Sequence, residues 1–154
     1  MPRRYTVQFN QVSCAAAQDA ISIKCGAGVV CRILEVRLTQ SGSTTSAMQR
    51  MRHAKATATF TAGSGGNAFT PLKNETGDAA AVSTARINDT TQGTTSGTKS
   101  TQFEEAFNVL SGYFWCPVPE EVIVIAPGEA YILDFPAMVA SLTMDGSVTF
   151  EEIG

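Results

Sequence analysis

Apolar residues recur at every second position through much of the chain, and this period constrains the fold more than any other feature. In "RYTVQF", Tyr5, Val7 and Phe9 alternate with Arg4, Thr6 and Gln8, as in a strand with one buried face. "DAISIKC" repeats the period with Ile21 and Ile23. After the turn Gly26-Ala27-Gly28, "VVCRILEVRLTQ" sets Val30, Leu34, Val36 and Leu38 on one side, with Arg32 interrupting them. Cys31, Ile33, Glu35 and Arg37 fall on the other. In "AMQRMRHAKATATF", Ala54, Ala56, Ala58 and Phe60 alternate with His53, Lys55, Thr57 and Thr59. Strand is the reading taken there, although Met48, Met51 and Arg52 also fit a helical period.

The most hydrophobic stretch is "PEEVIVIAPGEAYILDFP". Val122 to Ile125 and Ala130 to Leu133 are apolar at successive positions, which is how strands covered on both faces read. Turning at Pro127-Gly128, the two runs are expected to form a central hairpin. Its second face would be covered by the chain's own long loops or by a neighbouring subunit. A polar substitution at Val122 or Val124 should then unfold the chain or dissociate its assembly. A second hairpin is expected between "MVASLTM" and "SVTFEEI" around Asp145-Gly146.

Two polar stretches, residues 61 to 80 and 88 to 102, are rich in Gly, Thr, Ser and Asn and read as long loops. "AVSTARI" between them is a short strand, and "FEEAFNVLSGYFWCPV" opens with a helical turn before Tyr113, Phe114 and Trp115. The total is about eight or nine strands separated by turn signals. That pattern predicts an all-β fold: an antiparallel β-sandwich, jelly-roll-like, with two long Gly/Thr-rich loops. At 154 residues, 44% of them hydrophobic and 16% charged, residues 1–154 suit a single ordered domain. No run is long and apolar enough to span a membrane, and the N-terminus lacks the apolar core of a signal peptide.

Without an export signal, Cys14, Cys25, Cys31 and Cys116 read as free thiols, with a bridge from one of the first three to Cys116 left open. No C-x-x-C spacing points to zinc or redox chemistry, and no hydrolase, P-loop, metalloprotease or EF-hand motif is present. The reading is therefore no catalytic residues, no metal and no cofactor. The sole histidine, His53, lies beside Arg50, Arg52 and Lys55 and is expected on a solvated or contact surface. The pairs Glu104-Glu105, Glu120-Glu121 and Glu151-Glu152 read as solvated turn charges whose members point to opposite faces.

Charge is divided along the chain. Up to Lys99 there are 11 basic and 5 acidic residues; beyond it there are 9 acids and no base. Two arrangements fit: strand interleaving that pairs the halves within one subunit, or complementary patches that join copies. The run "RMRHAK" lacks aromatic interleaving and the net charge is −3, so direct nucleic-acid binding is not expected.

"RYTVQFNQVSCAAAQDAISI", the Gly/Thr-rich middle and "PEEVIVIAPGEAYILDFP…FEEIG" together resemble small virion structural proteins of tailed bacteriophages, of the capsid decoration or cement type. The resemblance runs over nearly the whole chain and rests on segment order. It implies a non-enzymatic head-stabilising protein that binds across capsomers. Its partners would be copies of itself, as a homotrimer, and the major capsid protein or other virion proteins. It would be assembled in the bacterial cytoplasm, located in the virion, and have no membrane partner. Interface residues expected on this reading are Arg50, Arg52, Phe114 and Trp115, although the last two read somewhat better as ordinary core aromatics. The alternative is a receptor- or carbohydrate-binding module of a phage tail or fibre.

Overall fold

A computed structural model describes residues 2–42 and 46–154; Met1 of the opening segment and residues 43–45 lie outside the described residues. The elements are β1 (Arg3–Cys14), β2 (Gln18–Lys24), β3 (Val30–Gln40), β4 (Met48–Ala56), β5 (Phe60–Thr61), β6 (Asn67–Phe69), β7 (Leu72–Lys73), β8 (Thr84–Asp89), β9 (Thr94–Thr95), β10 (Lys99–Asn108), β11 (Tyr113–Trp115), β12 (Ile123–Ile125), β13 (Ala130–Phe135) and β14 (Leu142–Ile153). All strand pairs are antiparallel. One sheet runs β11-β3-β14-β1-β7, with β12 also on β3; the second runs β10-β4-β13-β2-β8-β6. Tyr5, Val7, Phe9, Val36, Leu38, Val148 and Phe150 from the first sheet share one core with Ile21, Ile23, Met51, Tyr131, Leu133 and Phe135 from the second. The chain is an all-β, antiparallel sandwich.

The extra strands, beyond the eight or nine expected, come mostly from short pieces inside the two polar stretches. Among them β5 and β9 pair with each other as a two-stranded flap. No helix occurs among the described residues, and "FEEAF" lies within β10. There residues 103–108 pair one by one with β4, with Phe103 and Phe107 packed on the core side and Glu104 facing outward to Arg50.

Bulges account for the places where alternation misleads. On β3 the register against β14 shifts between Glu35 and Ile33, so the inward set changes from Cys31 and Ile33 to Val36 and Leu38. Arg32 thus interrupts nothing: it and Leu34 lie on the outward side, and Arg32 meets Glu151 at 2.8 Å. On β1 a bulge between Phe9 and Val12 places Gln11 at φ 52°, and its N–H donates to Asp145 Oδ1 at 2.6 Å. Asp145-Gly146 is accordingly no turn; it lies inside the twelve-residue β14. Gly146 is needed there because a Cβ would come within 2.5 Å of the Phe9 ring and 2.8 Å of Leu38.

Pro127-Gly128 is a turn, with Gly128 at φ 84°, but the strands on either side of it do not pair. β12 joins β3 in the first sheet, whereas β13 sits between β4 and β2 in the second. The turn carries the chain from one sheet to the other, so the expected central hairpin is an arch. β13 does have both faces covered, all six of its residues being buried. Tyr131, Leu133 and Phe135 enter the main core, and Ala130 and Ile132 form a second cluster with Ala54, Ala56 and Phe60. The cover is therefore the chain's own polar segment. β12, by contrast, leaves Val124 44% exposed.

Candidate functional site

The flap is fastened over the second sheet by buried charges. Register places Arg52, Asp134, Asp19 and Asp89 in one row across β4, β13, β2 and β8. Arg52 grips Asp134 through two bonds of 2.9 and 2.7 Å. Lys99 Nζ stands 3.3 Å from Asp134 and 3.7 Å from Asp19, and Arg86 pairs with Asp89 at 2.7 Å. Backbone N–H groups of the polar segments complete the row: Gly93 donates to Asp19 at 2.7 Å and Gly66 to Asp89 at 3.1 Å. Burial raises the pKa of Asp19, with the Gly93 bond and Lys99 acting against it. Three carboxylates meet three cations here, so the row is a charge-balanced fastening. Arg52, one of the residues expected at an interface, belongs to this row through its pair with Asp134.

A second cluster surrounds His53, which is fully buried rather than on the surface expected for it. β4 delivers its ring to the core side, where it stacks on Phe103 at 4.1 Å and meets Trp115 at 5.0 Å. The Tyr131 hydroxyl lies 2.8 Å from Nδ1 and the Tyr113 hydroxyl 3.4 Å from Nε2. Desolvation lowers the His53 pKa to about 3, so the ring is neutral near neutral pH. The misplacement came from its basic sequence neighbours: Arg50 and Arg52 are outward on the same strand, and the adjacent Ala54 is small enough to pack beneath the flap. Burial also raises the Tyr113 hydroxyl, with Glu105 adding to the effect.

This cluster opens at the side of the sandwich, between the last strands of the two sheets. Phe103 and Glu105 from β10, Trp115 from β11 and Glu121 from the following loop line a cavity of about 300 Å³. Trp115 is half-buried, its ring 5.4 Å from Phe103, while Phe114 on the opposite face of β11 is 62% exposed beneath the Arg37 guanidinium. Arg50 is exposed and paired with Glu104. Of the four residues expected at an interface, Arg50, Phe114 and Trp115 thus lie on the β10–β11 side. Sequence reasoning missed Phe103, Glu105, Tyr113 and Glu121. The signal for the first two was present as Phe103, Glu105 and Phe107 at alternate positions.

A wider groove of about 830 Å³ crosses the outer face of the first sheet, lined by Arg4, Arg32, Glu151, Cys116, Pro117 and Val122 among others. Glu151 and Glu152 are buried, contrary to the solvated pair expected. Glu151 takes Arg32, and Glu152 on the opposite face accepts from the N–H groups of Val82 and Ser83 at 3.2 and 2.7 Å. All four cysteines are free, three of them buried and Cys116 exposed. The charge division is met in part within the subunit. Arg4 and Arg32 pair with Glu151, Arg50 with Glu104, Arg52 and Lys99 with Asp134, and Lys55 with Glu129.

Among the described residues no group of three or more His, Cys, Asp or Glu side chains is placed to hold a metal ion, and no helix is long and apolar enough to cross a membrane. Comparison with protein-family models, with curated proteins and with solved structures finds no match to this chain.

Proposed function

We propose that the protein is a non-enzymatic structural component of a bacteriophage virion, a capsid decoration or cement protein that binds across capsomers and stabilises the head. The observation that carries this reading is a set of exposed apolar side chains at one end of the sandwich. Met48, Leu110 and Val139 are 57%, 55% and 50% exposed. They are gathered by the bonds from Val109 N–H to the Ala47 carbonyl and from Val139 N–H to Gln49 Oε1. Phe114 on β11 and Val118 just after it are also exposed, at 62% and 55%. Exposed large apolar side chains grouped in this way mark a surface meant for another protein. The strand order supports the reading further. β1-β14-β3 with β12 in one sheet and β2-β13-β4-β10 in the other supports reading the sandwich as jelly-roll-like, an architecture found in viral capsid proteins and lectins.

On this reading the chain assembles as a homotrimer and docks on the major capsid protein or another virion protein. Light scattering after size exclusion, together with co-sedimentation on capsids stripped of the chain, tests it. A trimer that binds the capsids saturably and raises their disruption temperature is the expected result. A stable monomer that stays in the supernatant overturns it. The competing reading, a receptor- or carbohydrate-binding module of a tail or fibre, draws on Trp115 at the side cavity; hits on a glycan array would favour it.

A further inference from the structure

The cavity between β10 and β11 has a chemistry of its own. Its walls are two aromatic rings, Trp115 and Phe103, and two carboxylates, Glu105 and Glu121. Among the described residues neither carboxylate lies in an ion pair, whereas Glu104, adjacent in sequence, has Arg50. An aromatic surface bordered by unneutralised negative charge favours a cation, and a planar one most, because a guanidinium stacks on indole while its N–H fork meets carboxylates. The chain builds the same combination once on its outer face: Arg37 lies 5.2 Å over the Phe114 ring and bonds Glu35 at 2.6 and 3.2 Å.

The position of the cavity indicates how such a cation arrives. β10, ten residues long, is the terminal strand of its sheet and is bonded to β4 on one side only. Its other edge offers free N–H and C=O groups, the template for an added strand. Phe103 and Glu105 share the face of β10 that points between the sheets, since Phe103 stacks on the buried His53. A strand laid along β10 would place alternate side chains beside these two, directly over the cavity.

We propose that this cavity receives an arginine side chain from a partner protein whose extended segment adds to the free edge of β10. The inference stands on the cavity's own residues and holds whether or not the partner is a capsid subunit.

Trp115 is the only tryptophan, so intrinsic fluorescence reports on the cavity itself. The probes are N-acetylarginine amide, its neutral isostere N-acetylcitrulline amide, tetramethylammonium, and a blocked Thr/Val peptide of strand length carrying one arginine. The arginine amide should alter the emission saturably, on the order of millimolar, as suits a cation–π contact joined by charge-assisted bonds to two carboxylates. The peptide should bind at least about tenfold more tightly through its added backbone bonds. The Glu105→Gln/Glu121→Gln double variant should weaken both about tenfold or more while its circular dichroism stays unchanged. The single variant Glu121→Gln, in a loop, gives the same direction should Glu105→Gln disturb Tyr113. Equal binding of citrulline, tighter binding of tetramethylammonium, a peptide no better than the amide, or no response of Trp115 overturns the proposal. A change of oligomeric mass in the double variant also overturns it, because the occupant is then a second copy of this chain.

Discussion

At the scale of single residues, His53 departs most from its surroundings in sequence. Its pKa falls from an ordinary value near 6.5 to about 3 because burial penalises the imidazolium. A base whose folded pKa is depressed stabilises the fold above its unfolded pKa, and that contribution is lost as pH falls from about 6.5 towards 3. The loss is roughly 3–5 kcal/mol by linkage. Asp19, raised by burial, works in the opposite sense, its contribution being present at low pH and lost as pH rises through its folded value. The histidine part is therefore read as the difference between wild type and His53→Gln. Urea melts across this range should show a steeper acid loss in the wild type, and parallel curves would contradict the assignment. The cysteines give a second check. Burial raises Cys14 to about 11 and raises Cys25 and Cys31 as well, while Cys116 is exposed. Titration with a thiol reagent should find one fast thiol in the native protein and all four after unfolding.

At the scale of elements, β12 and β13 carry similar sequences and have different surroundings. Ile132 is fully buried under Phe60, and Ile132→Ser should cost about 3 kcal/mol or more in chemical denaturation. Val124 is 44% exposed, and Val124→Ser should stay within about 0.5 kcal/mol. Comparable losses at the two sites would mean that the arch is a hairpin after all. Gly146→Ala tests β14 in the same way: overpacking against Phe9 and Leu38 should cost about 1–3 kcal/mol. These elements also show what the sequence could and could not reveal. Tyr5, Val7 and Phe9 were legible as an inward face because local alternation decides them. The reversals at Glu35 and Gln11 depend on bulges set by the partner strand, and the pairing of β12 with β3 depends on contacts about ninety residues away in sequence. Period alone carries neither. The side cavity was half legible. Trp115 stood out by its type, whereas Glu105 and Glu121 became its neighbours only when two sheet edges came together.

At the scale of the whole molecule, the polar segments and the charge division serve the same end. Segments rich in Gly and Thr lie close over the second sheet because Gly93 and Gly63 leave room where a Cβ would clash with Phe60 and with the Thr91 carbonyl. The basic first part of the chain supplies cations to the acidic last part, and the fastening row joins both to the flap. The β10–β11 side is left open, with its free strand edge, its aromatic cavity and the exposed Phe114. An assembling protein needs such a side, and the proposed role in the virion depends on it. Electron cryomicroscopy of phage particles assembled in cells that make this chain tests the role most directly. The expected map shows the sandwich on the outside of the head, bridging neighbouring capsomers with β10 and β11 turned towards the shell. A map with no density for the chain, recovered instead as a free monomer, would contradict it.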